Sequence, residues 1–148
     1  MKIIVVGAGK VGYSVAKILS EEGHDITVID RNPETITHLS NELDVICVEG
    51  SATNHETLLG AGAAEADLLM AATQQDEVNM VCGITARKLG TKHVIARIRD
   101  TEYLRQTEFL REVLGLSITI NPEYECAKEI ARILRFPSAA RVDTFSKG

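Results

Sequence analysis

Short apolar runs alternate along this chain with longer stretches whose apolar positions recur every three or four residues. Residues 2–6 form an unbroken run of Ile and Val after Lys2, the pattern of a strand buried on both faces. Residues 10–22 then place Val11, Val15, Ile18 and Leu19 at helical spacing, and Gly23 supplies a left-handed stop. The alternation repeats. Strands are predicted at 26–29, 44–48, 68–72, 93–98 and 117–120. Asn32-Pro33-Glu34 and Asn121-Pro122-Glu123 each open a helix with a capping Asn, Pro at the first position and an acid facing the dipole. Asn54 caps a short helix over 55–59. Val78, Val81, Cys82, Thr85, Ala86 and Leu89 predict one apolar stripe on a helix over 76–89, stopped by Gly90. Residues 101–114 read as one further helix, and Ala127, Ile130, Ala131 and Leu134 as the apolar face of the last.

Six strand–helix units in this order predict an α/β fold: a doubly wound, six-stranded parallel sheet with helices on both faces and right-handed crossovers. The length of 148 residues suits one such domain. Residues 1–136 are assigned to it. Residues 137–148 read as a linker, with 140–145 alternating like the first strand of a further subdomain. The chain is therefore expected to be a piece of something longer.

Composition narrows the function. The net charge of −5 argues against nucleic acid as partner. It is unevenly spread, −9 over residues 1–80 and +4 over 81–148. No apolar run approaches the ~20 residues that span a bilayer, so the expected setting is soluble and cytoplasmic. Cys47, Cys82 and Cys126 are far apart and form no Cys-x-x-Cys pair, so free thiols are expected rather than a zinc site or redox dithiol.

The chemistry concentrates after the strands. Gly7-Ala8-Gly9-Lys10-Val11-Gly12 follows a buried strand and opens an amphipathic helix, the context that gives this glycine pattern its meaning. Gly7 allows a tight turn, Gly9 lets backbone approach a pyrophosphate, and Gly12 lets helix pack on strand. The helix N-terminus offers N–H groups to phosphate. Asp30 ends the second strand, close to the offset at which an acid receives the adenosine ribose hydroxyls. That carboxylate favours NAD or another adenine nucleotide over NADP, although the adjacent Arg31 could accommodate a 2′-phosphate. Ser51 and Ala52 are small enough to leave room for an adenine ring. Thr73 could cap the next helix or contact ligand. Arg97 and Arg99 share one strand face, suiting either a phosphate or a salt bridge to Asp100 or Glu102.

These segments carry a family resemblance. It rests on the first nine residues, Asp30, Glu49-Gly50-Ser51-Ala52, the run from Ala72 to Met80, Ile95-Ala96-Arg97-Ile98-Arg99 and Phe136-Pro137-Ser138-Ala139-Ala140. The whole chain resembles the N-terminal, Rossmann-like nucleotide-binding unit of the TrkA-type potassium-uptake regulators, within the RCK (regulator of potassium conductance) family. The resemblance implies that Gly7, Ala8, Gly9, Lys10 and Val11 cradle a pyrophosphate, Asp30 the ribose, Thr73 and Gln74 the second nucleoside half, and Arg97 a phosphate. It implies NAD or NADH as ligand, or alternatively ATP, ADP or AMP. It also implies a homodimer or higher oligomer under a potassium-translocating membrane subunit, at the inner face of the cell membrane. Relatives that sense ATP often carry Arg where this chain has Lys10, which leaves the ligand open. Leu110, Val113 and Ile133 are candidate dimer-surface residues.

The competing class is the cofactor-binding fragment of an NAD-dependent oxidoreductase. Tyr124 and Lys128 spell the Tyr-x-x-x-Lys of short-chain reductases, but after the sixth predicted strand rather than the fifth. His24, His38, His55 and His93 have neither triad nor ligand spacing, so no catalytic residue is assigned.

Overall fold

The computed structural model describes residues 1–135. The alternating segment 140–145, and the rest of the stretch assigned to a linker, lie outside them. Six parallel strands, β1 (Lys2–Val6), β2 (Asp25–Asp30), β3 (Ile46–Glu49), β4 (Leu68–Ala71), β5 (His93–Arg97) and β6 (Ile118–Ile120), form one sheet in the order β3-β2-β1-β4-β5-β6. This is the doubly wound order, with the strand order reversing between β1 and β4.

The alternation of side chains along β1 shows how the two layers form. Ile3 and Val5 face a core completed by Ala16 of α1 (Lys10–Glu21) and Leu39 of α2 (Pro33–Glu42). Ile4 and Val6 face the opposite core, with Leu58 of α3 (His55–Gly60) and Cys82 and Ala86 of α4 (Asp76–Leu89). Burial pushes the Cys82 thiol up to about 12, so it packs as a small neutral hydrophobe.

Several boundaries and faces differ from the sequence reading. β3 starts at Ile46 and β5 ends at Arg97. Residues 101–114 form two helices, α5 (Thr101–Arg105) and α6 (Thr107–Leu114), parted at Gln106. In α1 the buried positions are Gly12 and Ala16, while Ile18 is exposed. In α4 they are Asp76, Asn79, Cys82, Gly83 and Ala86, while Val81 faces outward. The reason is the same in both helices. Small residues let a helix approach the sheet closely, and the branched residues beside them then lie at the flank. In α7 (Pro122–Arg135) no residue is buried, and Ile130, Ile133 and Leu134 are all exposed. Among the described residues no helix is long and apolar enough to cross a membrane.

The glycine with the least room for a side chain lies where β1 turns into α1. A Cβ on Gly12 would stand 1.8 Å from the Gly7 carbonyl oxygen, which is backbone and cannot swing aside. Gly12→Ala is therefore expected to destabilise the fold by about 1–3 kcal/mol, the cost of overpacking a well-filled site. Denaturant titration should show a lower midpoint with an unchanged slope.

Candidate functional site

At the carboxyl end of the sheet, the loops that follow the strands enclose a cavity of about 750 Å³ beside the meeting of the β1 and β4 loops. Open α/β sheets bind ligands at such a reversal of strand order. The cavity is lined by the glycine loop (Gly7, Ala8, Gly9, Lys10 and Val11), by Asp30 and Arg31, by Ser51 and Ala52, and by Thr73, Gln74 and Arg97. Gly12 alone among the predicted site residues does not line it, since it lies beneath Gly7.

The glycines divide their work as their surroundings require. Gly7 has φ +86°, a left-handed conformation, and a Cβ there would stand 2.9 Å from the Thr73 backbone nitrogen. A Cβ on Gly9 would meet nothing within 4 Å. Gly9 precedes α1, whose N-terminus has no side-chain cap and no acid in its first turn. By contrast α2, α3 and α5 are capped by Asn32, Asn54 and Asp100 and carry Glu34, Glu56 and Glu102 in their first turns. The α1 amides thus keep their donor capacity and partial positive charge.

Asp30 does more than its position predicts. One carboxylate oxygen accepts the Ala8 N–H at 2.7 Å and the other the Asn32 N–H at 2.8 Å. The acid therefore pins the glycine loop to the end of β2. Each oxygen keeps a second lone pair for a ligand hydroxyl.

Thr73 is turned inward. Its hydroxyl lies 2.7 Å from Asn79 Oδ1 and also accepts the Gln75 N–H, while α4 begins without a side-chain cap. Of the two roles the sequence left open for Thr73, capping of α4 is not made, and its hydroxyl contacts Asn79 instead. Asp76 Oδ2 instead accepts the backbone N–H groups of Arg99 and Asp100 at 2.8 and 2.7 Å.

The two arginines diverge because β5 ends between them. Arg97 is buried, pairs with Glu123 at the start of α7, and has a buried Nε without a hydrogen-bond partner. Arg99 reaches over the loop to the Gln74 carbonyl. Neither makes the salt bridge to Asp100 or Glu102 that the sequence allowed.

Asn32, Thr35, Gly50, Thr53, Gln75 and Val78 also line the cavity and were not assigned to the site from sequence. Asn32 belongs to a helix start whose capping pattern already accounted for it. Tyr124 and Lys128 do not line the cavity: the Lys128 ammonium sits 5.4 Å from the Tyr124 ring centre on an exposed helix. No group of three or more His, Cys, Asp or Glu able to hold a metal occurs among the described residues.

Residues 3–122 match the family model described as the TrkA-N domain. The chain belongs to the TrkA-N family. Over its full length it is 38% identical to a Trk system potassium uptake protein TrkA homolog of Archaeoglobus fulgidus, of which it spans 34%. It is 40% identical over 99% of its length to the Trk system potassium uptake protein TrkA of Haemophilus influenzae, spanning 32% of that protein. The chain thus spans about a third of these curated relatives.

Solved structures share the fold of this TrkA-N domain. The TrkA-N domain of the inner membrane protein ybaL of Escherichia coli superposes with a TM-score of 0.79 at 22% identity, covering 90% of this chain and 96% of that one. The C-terminal domain of a Shewanella denitrificans Kef protein, solved in its AMP-bound form, gives 0.73 at 22% identity, covering 95% and 83%. The GsuK channel bound to NAD gives 0.69 at 24% identity, covering 80% of this chain and 21% of that one.

The Arg97–Glu123 pair generates a pH prediction. Partial burial raises the Glu123 carboxyl, but its own backbone N–H and the Arg97 guanidinium outweigh this and hold it below the ordinary value. A carboxylate with a lowered folded-state pKa stabilises above its unfolded value, about 4.3, and that contribution fades as pH falls through the folded value. Glu123→Gln should therefore lower the melting temperature modestly at pH 7. The gap to wild type should close below pH 4 in a melting series from pH 3 to 7.

Proposed function

We propose that this domain is a nucleotide sensor: it binds NAD, NADH or an adenine nucleotide in the β1–β4 crevice and uses that binding to regulate potassium uptake. The observation that carries the reading is the glycine loop. Gly9 faces open space at the uncapped N-terminus of α1, while Asp30 anchors the loop from β2. Phosphate fits the first feature and a ribose diol the second. Fold relatives solved with NAD, ADP or AMP bound support the ligand class.

In this reading Lys10 and Arg97 supply positive charge to the phosphates. Ser51 and Ala52 flank the adenine, Arg31 lies beside the ribose, and Gln74 offers its amide to the second half. The names of the curated relatives support a role in a Trk system. The longer regulator would assemble as a homodimer or higher oligomer beneath a potassium-translocating membrane subunit, on the cytoplasmic side. The domain itself catalyses nothing. Ligand must then bind one arrangement of paired domains better than another, because equal affinity shifts no equilibrium.

Calorimetry across NAD, NADH, ATP, ADP, AMP and NADP tests the reading directly. Wild type should bind at least one of them, and Gly9→Val should abolish that binding while the fold survives. Unchanged affinities in Gly9→Val would move the site elsewhere, and steady oxidation of NADH at 340 nm with a carbonyl substrate would make the domain part of an enzyme. Asp30→Ala should weaken NAD by about 1.5–3 kcal/mol, the worth of hydrogen bonds to a charged group. NADP should weaken less but measurably: relief of charge repulsion is offset by a glycine loop that has lost its anchor.

A further inference from the structure

Asn79 is fully buried on α4 and does not line the crevice. Its amide is nevertheless completely engaged. Oδ1 accepts the Thr73 N–H at 2.9 Å and the Thr73 hydroxyl at 2.7 Å. Nδ2 donates to the Thr73 carbonyl at 3.1 Å and to the Arg97 carbonyl at 2.8 Å. Two acceptor and two donor positions are all that an asparagine amide has. The backbone donor on one side and the two carbonyls on the other also fix which atom is oxygen and which nitrogen.

The placement matters because of where the sheet ends. The paired register of β4 and β5 stops at Ala71 opposite Ala96. Beyond it Asn79 bridges the two departing chains and sets the position of Thr73, the wall of the crevice that faces Gly7. Thr73 has its N–H, hydroxyl and carbonyl all committed inward, so it presents a fixed surface. The glycine loop is held separately, through Gly7 N–H to Ile29 and Ala8 N–H to Asp30. The two sides of the crevice therefore have independent anchors: Asp30 for the adenosine side and Asn79 for the other.

We propose that Asn79 is a positioning residue for the part of the nucleotide beyond the adenosine monophosphate, fixing the Thr73 loop where it packs against Gly7 and forms the β4 wall of the crevice. This rests on the nucleotide reading of the crevice. Its consequence is a division of labour. A ligand confined to the adenosine side, such as AMP, depends on Asp30. A ligand that crosses to the β4 side, such as NADH or ATP, depends on Asn79 as well. Asp at this position would turn an acceptor toward the carbonyls of Thr73 and Arg97 where a donor is needed, displacing the wall with almost no change of volume.

The test compares AMP with whichever of NADH and ATP binds wild type more tightly, by calorimetry on the full 148-residue chain. In Asn79→Asp the larger nucleotide should lose at least tenfold more affinity than AMP. If that variant does not fold, Thr73→Val, which removes only the inward hydroxyl, should give the same split at about threefold. Equal losses for both ligands would mean that Asn79 merely stabilises the fold, and overturn the proposal. So would undiminished binding of the larger nucleotide in a folded variant. Failure of the nucleotide reading itself would show earlier and separately, as wild type binding none of the ligands, and would remove this proposal with it.

Discussion

Gly12 leaves no room for a side chain beneath the Gly7 carbonyl, and the upper edge of the sheet depends on that contact. It lets α1 begin directly against the end of β1, so the first free amides of the helix open onto the crevice. Gly7 can then take its left-handed turn close to Thr73, bringing the β1 and β4 loops within van der Waals reach. A larger residue at either position would part these loops.

Two acids and one amide hold the edge in that shape without occupying its centre. Asp30 takes the Ala8 N–H, Asp76 takes the N–H groups of Arg99 and Asp100, and Asn79 takes Thr73. Each satisfies backbone N–H groups that lie beyond the last paired residues, where the strands diverge. Such groups are costly to leave unpaired when buried, so each loop is confined to a narrow range of positions.

The fold was legible because parallel strands buried on both faces write themselves as unbroken apolar runs, and helices between them as spaced ones. The helix faces were less so. Val81 and Ile18 are large and apolar, and a periodicity reading weights them heavily. The closest packing instead runs through Gly12, Ala16, Gly83 and Ala86, whose small size makes the approach possible. That the glycine loop and Asp30 meet at the carboxyl edge of the sheet was legible from spacing, but the bond from Asp30 to Ala8 was not, since it depends on how two loops meet. Asn79 carried a weak signal: a polar residue one turn from Cys82 and Gly83 on the buried face. A polar residue there must find partners inside, and Asn79 finds them at the departing strand ends.

The two arginines show why spacing cannot assign a role by itself. Arg97 and Arg99 are two residues apart, and a continuing strand would have pointed both the same way. The strand ends at Arg97, so the first is held under the loop against Glu123 and the second lies across the rim on Gln74. Arg97 therefore joins three elements: β5, which carries it, the Thr73 carbonyl near the crevice, and α7 through Glu123. Its buried Nε still lacks an acceptor. An anion entering the crevice would meet a guanidinium already shared with α7, whose Ile130, Ile133 and Leu134 face outward. Within the nucleotide-sensing proposal, that shared side chain gives the ligand a direct physical connection to α7 and the apolar residues it exposes.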